Sequence, residues 1–207
     1  MSVAARHFID GTFTAGDDNR SFENFTPVDS ASLGLVPEAS ETEVNAAVGA
    51  ARAALKGPWG AMAVAERAQL LHKVADGITA RFDEFLAAEI SDTGKPKSLA
   101  AQVDIPRGAA NFKVFADLVK NVGSEHFSMP TPDGMGAVNY ALRVPKGVIA
   151  VITPWNLPLL LMTWKVGPAL ACGNSVVVKP SEETPLTATL LGEVMNEASV
   201  PKGVYNV

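Results

Sequence analysis

Cysteine and histidine are scarce in this chain, whose 207 residues hold one Cys and three His. A single cysteine excludes an intrachain disulfide and suits a reducing cytosol, so a cytoplasmic setting is expected. The scattered His7, His72 and His126, with Cys172, give no metal-ligand spacing, and no metal is expected. Long hydrophobic runs are missing too. GVIAVI and LPLLLM are far too short to span a bilayer. The start, MSVAARHFID, lacks the continuous apolar core of a signal peptide. Positive charge is not in excess: the formal net charge is −5 and no Lys/Arg run stands out. Both facts argue against a nucleic-acid binder or an anionic-membrane patch.

What is present suits a globular protein. Hydrophobic residues make up 47% and charged residues 19%, enough for a buried core in one substantial domain. The first stretch reads as short strands. Asp10-Gly11 in HFIDGTF is a type I′ hairpin signal, and SFENFTP and SLGLVPE are extended pieces stopped by Pro27 and Pro37. Helices follow. Ser40-Glu41-Thr42-Glu43 is a capping box, after which Val44, Ala47, Val48, Ala51 and Leu55 share one face. A second helical region is predicted over 64–90, with Leu70, Leu71, Val74, Ile78, Phe82, Phe85 and Leu86 inward, broken by Thr93-Gly94-Lys95-Pro96. A third, over 98–119, is predicted to bury Val103, Ala110, Val114, Phe115 and Leu118, with Pro106 marking a kink or junction.

The turn-rich segment 123–146 ends in a period-two alternation from Ala137 to Val144 and reads as a hairpin outside the main sheet. From Gly147 the pattern becomes β-α-β-α-β. The apolar strand GVIAVIT resembles a parallel strand covered on both faces. A helix over 156–171, the strand NSVVVKP, a helix over 182–198 and the strand start GVYNV follow. The expected fold is α/β: a partial doubly wound, Rossmann-like parallel sheet, with N-terminal helices and a protruding hairpin. The expected division is 1–122 for strands and helices, 123–146 for the hairpin and 147–207 for the first βαβαβ. A final apolar strand suggests truncation. Its unpaired edge invites aggregation.

Gly134-x-Gly136 is no dinucleotide fingerprint, because Asn139 stands where the third glycine belongs and a strand follows rather than precedes it. The chemistry-bearing residues lie instead at two predicted strand tips, where doubly wound sheets bind ligands. One tip carries Ile152, Thr153, Pro154, Trp155 and Asn156; the other carries Lys179, Pro180, Ser181 and Glu182. The Asn156 amide can donate to a developing oxyanion, or can cap a helix. Lys179 with Glu182 can grip a ribose diol, or can decorate a solvated helix start.

The run GVIAVITPWNLPLLLMTWKVGPALACGNSVVVKPSEETPLTA resembles the aldehyde dehydrogenase superfamily, and the layout from FIDGTF onward fits as well. DIPRGAANFKVFADLVKN, PDGMGAVNY and PWNLPLLLMTWKVGPALACGN resemble the branch acting on 2-hydroxymuconic or 2-aminomuconic semialdehydes. The resemblance implies NAD as cofactor, with NADP disfavoured by Glu182, and a small aldehyde as substrate. It implies a homo-oligomer, with the 123–146 hairpin as its arm. It also assigns roles. Asn156 resembles the oxyanion amide. Ile152, Thr153, Pro154 and Trp155, with Asn156 at the end, resemble the loop along the nicotinamide half of the cofactor. Lys179, Ser181 and Glu182 resemble the adenosine-ribose grip. Leu161 and Trp164 fall where the family lines its substrate tunnel. Arg107 resembles the semialdehyde branch's carboxylate clamp, a job suited to a bidentate guanidinium; otherwise it is a surface salt-bridge residue. Cys172, between a helix and a strand, matches a packing position rather than the nucleophile. The nucleophilic thiol and the water-activating Glu are expected beyond Val207. The 207-residue chain alone is therefore expected to be inactive, as part of a longer enzyme or as a non-catalytic NAD-binding or assembly partner.

Overall fold

The computed structural model describes residues 3–16 and 20–207. The chain opens with an antiparallel hairpin, β1 (His7–Ile9) and β2 (Thr12–Thr14). Asp10 and Gly11 both have positive φ, at 50° and 77°, as a type I′ turn requires. A second antiparallel pair, β3 (Ser21–Phe25) and β4 (Ser32–Pro37), follows.

Helix α1 (Glu41–Ala54) carries the expected capping box: Glu43 N donates to Ser40 Oγ at 3.3 Å, and Ser40 N donates to Glu43 Oε2 at 2.7 Å. Such a cap contributes about 1 kcal/mol. Its buried face differs by one position from the sequence reading. Glu43, Ala47, Ala51 and Ala54 are buried, whereas Val44 is exposed. The cap turns Glu43 inward, within 3.9 Å of the His7 ring, and the rest of the face rotates with it.

The short α2 (Pro58–Ala61) buries Trp59, whose indole donates to the Asn174 carbonyl. The single helix expected over 64–90 is two, α3 (Val64–Ala80) and α4 (Phe82–Thr93). They part at Arg81, whose guanidinium binds Glu84, Glu193 and Glu197. Gly94 ends α4 in the left-handed region at φ 65°, with Pro27 packed where a side chain would start. After α5 (Lys97–Leu99), a π-helical turn over Ala100–Asp104 leads into α6 (Ile105–Val119), so Pro106 marks a junction. The buried residues of α6 are Ile105, Gly108, Ala109, Asn111, Phe112 and Ala116; Ala110, Val114 and Leu118 face outward. The buried stripe runs through Ile105, Phe112 and Ala116 instead, with Gly108 where α6 meets α7 most closely. At Gly108 an added Cβ would lie 2.8 Å from Leu159 Cγ.

The expected hairpin is β5 (His126–Met129) paired antiparallel with β6 (Ala137–Tyr140), a two-stranded sheet separate from the others. It is shorter than the alternation to Val144 predicted. The parallel sheet is β7 (Val148–Ile152), β8 (Ser175–Lys179) and β9 (Tyr205–Asn206), in that spatial order. Helices α7 (Pro158–Ala171) and α8 (Leu186–Glu197) make the crossovers. Helix α8 begins four residues later than expected at 182, because a turn intervenes. β7 is not covered on both faces: Val151 is buried, but Ala150 and Ile152 are exposed. On the far side, Phe8 and Val207 exchange two backbone hydrogen bonds, so β1 extends the sheet beyond β9. Tyr205 anchors this corner, its hydroxyl donating to Ala188 O at 3.0 Å. No helix among the described residues is long and apolar enough to cross a membrane.

Candidate active site

Both chemistry-bearing turns leave the same edge of the sheet. Ile152 stands opposite Lys179 in parallel register, and Thr153 N donates to Lys179 O at 3.2 Å, prolonging the ladder by one residue. The Thr153 side chain is buried. Ile152 and Trp155 are 69% and 62% exposed, and Pro154 and Asn156 are exposed beside them. Apolar side chains this bare at a strand tip form a surface suited to a flat ring.

Asn156 is not a helix cap. The N-cap of α7 is Leu157, with no side-chain cap bond, and Pro158 occupies the first turn. The Asn156 main chain is nevertheless held from behind: Lys95 Nζ donates to its carbonyl at 3.0 Å. Lys95 also pairs with Glu89 at 3.2 Å and Asp104 at 2.5 Å, and both carboxylates are fully buried. Glu89 then accepts from Leu159 N, in the first turn of α7, at 3.3 Å. Burial pushes the Glu89 carboxyl up from its ordinary value, against the pull of Lys95.

At the second tip, Lys179 Nζ and Glu182 Oε2 are 2.8 Å apart and largely exposed. The Lys179 hydrogen bond holds the Glu182 carboxyl below its ordinary value. A cation and an anion side by side can meet a vicinal diol, one donating and the other accepting. Ser181 is buried and its hydroxyl accepts from Glu183 N, stiffening the turn. A groove of about 310 Å3 runs beside the pair, walled by Val36, Pro37, Val178, Pro185 and Val207. Helix α8 is held by Asp92 of α4, which accepts from Leu186 N at 2.9 Å and from Asn24 Nδ2 at 3.1 Å. Burial pushes Asp92 up to about 7.

The remaining predicted residues lie along α6 and α7. These helices run side by side in the same direction: Gly108 abuts Leu159, Asn111 donates to Leu160 O and Thr163 Oγ1, and Phe115 meets Trp164 edge-on at 5.4 Å. Arg107 is exposed next to Gly108, and so lies level with the start of α7. It makes no hydrogen bond or ion pair with any described residue. Leu161 is half-buried and Trp164 is half-exposed, one and two turns further on. Cys172 stands at the other end of α7, roughly 20 Å from Asn156 along a helix of this length. It is exposed, contrary to the packed position expected.

Sequence reasoning missed Glu89, Lys95 and Asp104, treating the Lys95 segment only as a helix breaker. A signal existed. Glu89 falls four residues after Phe85 and three after Leu86, on the apolar stripe of its helix, where an acid needs a buried partner.

A family model described as the aldehyde dehydrogenase family matches residues 13–207. The chain belongs to this family. It is 71% identical over 202 residues to a 2-hydroxymuconic semialdehyde dehydrogenase of Pseudomonas sp. (strain CF600), covering 98% of this chain and 42% of that protein. It is 50% identical to a 2-aminomuconic 6-semialdehyde dehydrogenase of Pseudomonas sp, with 98% and 41% covered. The NAD+ complex of an aldehyde dehydrogenase from Bacillus cereus superposes with a TM-score of 0.89 at 37% identity, over 98% of this chain and 40% of that one. This aldehyde dehydrogenase chain thus spans about 42% of the length of the first of these relatives.

Proposed function

We propose that this chain supplies the oxyanion amide and part of the cofactor cradle of an NAD-dependent dehydrogenase that oxidises a muconic semialdehyde to its acid. The observation that carries the reading is the pairing of Ile152 with Lys179, which sets two proline-stiffened turns on one sheet edge. NAD fits what is there: bare Ile152 and Trp155 offer a face to a planar ring, and the exposed Lys179–Glu182 pair offers partners to a diol. When bound, NAD supplies the nicotinamide that accepts a hydride. Glu182 favours NAD over NADP, because its carboxylate would repel a 2′-phosphate.

The chain's own residues orient and stabilise. The Asn156 amide donates to the oxygen of the reacting carbonyl as negative charge develops there. Lys179 and Glu182, with Ser181 stiffening their turn, hold the adenosine ribose. Ile152, Thr153, Pro154 and Trp155 lie along the nicotinamide half. Leu161 and Trp164 line the substrate approach, and Arg107, exposed and without an ion pair among the described residues, holds the substrate carboxylate. The 71% identity to a 2-hydroxymuconic semialdehyde dehydrogenase supports this substrate class. The nucleophile is a thiol other than Cys172. The β5–β6 hairpin, with Phe127, Val138 and Tyr140 exposed, serves as a homo-oligomer contact, and the setting is cytoplasmic.

The test is a full-length chain in which this segment replaces the matching part of the Pseudomonas CF600 relative. It should reduce NAD with 2-hydroxymuconic semialdehyde, and R107A should raise KM for that substrate at least tenfold while leaving an uncharged aldehyde unaffected. Equal effects on both substrates would remove Arg107 from the site. The bare hairpin also favours a second reading, a non-catalytic NAD-binding remnant or assembly partner. The 207-residue chain alone should then show no turnover; measurable turnover would refute both that reading and the account of Cys172.

A further inference from the structure

The buried cation behind the Asn156 turn has no role in the reading above. Lys95 sits in the loop after α4 with its side chain 10% exposed, facing two fully buried carboxylates. Its three contacts come from three directions: Glu89 on α4, Asp104 at the end of the π-helical turn, and the carbonyl of Asn156. Such an arrangement is costly. Withdrawing three charges from water is offset only when each finds partners, and apolar residues of the same volume would pack without that cost. The π-helical turn is a second local irregularity at the same spot, and it is the segment that delivers Asp104. Glu89 adds the last link, because its other oxygen accepts from Leu159 N. The cluster therefore holds the chain twice just after the Asn156 side chain, at the 156 carbonyl and at the first turn of α7. The Asn156 side chain itself has no hydrogen bond to any described residue, so only its main chain fixes where the amide can reach.

We propose that Lys95 is a positioning residue for the oxyanion amide, clamped by Glu89 and Asp104 so that the Asn156 main chain cannot shift. The proposal rests on Asn156 having the role assigned above. An oxyanion donor is effective only when it is already in place as charge develops. A displacement of about 1 Å can lower a rate roughly a hundredfold. Most of the proposed nicotinamide and ribose contacts belong to other residues, so loss of the clamp should lower kcat and leave KM for NAD nearly unchanged.

The experiment is a double-mutant cycle in the full-length chimaera described above, measuring kcat and KM for NAD. The variants are K95M, N156A and K95M/N156A. A fourth, E89Q/K95M/D104N, removes all three charges, so that no carboxylate is left buried without its cation if K95M does not fold. K95M, or the triple variant in its place, should lower kcat at least tenfold with KM for NAD within twofold. In the N156A background the same change should cost less than threefold, because the group it positions is already gone. K95R should recover part of the loss. Equal factors in the two backgrounds, or an effect carried in KM for NAD, would overturn the proposal and reduce the cluster to a structural ion network. A chimaera in which N156A leaves kcat unaltered would instead overturn the role of Asn156, a failure that does not resemble the first.

Discussion

The two strand tips solve one problem in different ways. At the tip of β7 the Asn156 side chain, proposed as the oxyanion donor, is exposed and has no hydrogen bond to any described residue, and its backbone is tied to a buried ionic cluster. At the tip of β8 the groups proposed to hold the ribose tie each other, as an exposed Lys179–Glu182 pair, and the helix behind them is held by the buried Asp92. Glu89 and Asp92 are three residues apart on α4, and each accepts from a first-turn amide of the helix that follows one tip. One helical face thus steadies both halves of the site. The lesson is a division of labour: the groups proposed to meet ligand are exposed, whereas the groups behind them are buried and costly to change.

Breaking the buried side of this comparison should have the largest effect. D104A leaves Lys95 with one carboxylate and opens a hole in a dry site, so a loss of about 3–5 kcal/mol in unfolding free energy is expected by urea titration. A value under 1 kcal/mol would mean that water already reaches the cluster. Next comes N156A, which should leave stability within about 0.5 kcal/mol, as for an exposed position. It should lower kcat of the chimaera roughly 100- to 1,000-fold.

The third effect depends on pH. Asp92 has an ordinary value of 3.8 and is pushed up to about 7 by burial. The folded state therefore keeps a proton that the unfolded state has lost. The stabilisation from Asp92 is complete below about pH 4 and fades as pH rises through about 7, on the order of a few kcal/mol. Glu89 shifts in the same direction. His7 opposes them: burial lowers its pKa, so it costs stability as pH falls through 6.5. D92N should cancel one contribution only. Urea midpoints at pH 5 and pH 8 should differ less in D92N than in the parent chain, with the gain at pH 8. An unchanged difference would place Asp92 in contact with water.

The smallest effects on stability belong to the exposed pair. K179A and E182A should each change unfolding free energy by about 0–1 kcal/mol, because the ion pair is screened by solvent. They should raise KM for NAD severalfold, and E182A should narrow the preference for NAD over NADP. A large loss of stability with normal NAD affinity would reverse the comparison between the tips.

How much of this was legible in the sequence depends on the range of the interaction. The Asp10-Gly11 turn, the Ser40–Glu43 capping box and the β-α-β-α-β order were readable because each rests on neighbours in the chain. The shared edge of Ile152 and Lys179 followed from the β-α-β order, which makes the strands parallel and puts their carboxyl ends on one edge. The buried face of α6 was misread because its contact with α7 selects Gly108 for closeness, not Val114 or Leu118 for bulk. The clamp on Asn156 went unseen because Lys95 lies 61 positions earlier in the chain, and period counting is blind at that range. Resemblance supplied residue roles that no local pattern could give, but it too passed over the cluster.

The most direct test is a structure of the full-length chimaera with NAD bound. The account predicts the adenosine ribose hydroxyls within hydrogen-bond distance of Lys179 and Glu182, the nicotinamide half along Ile152 to Trp155, and Lys95 still bonded to the Asn156 carbonyl. A dinucleotide bound away from this edge of the sheet would contradict it.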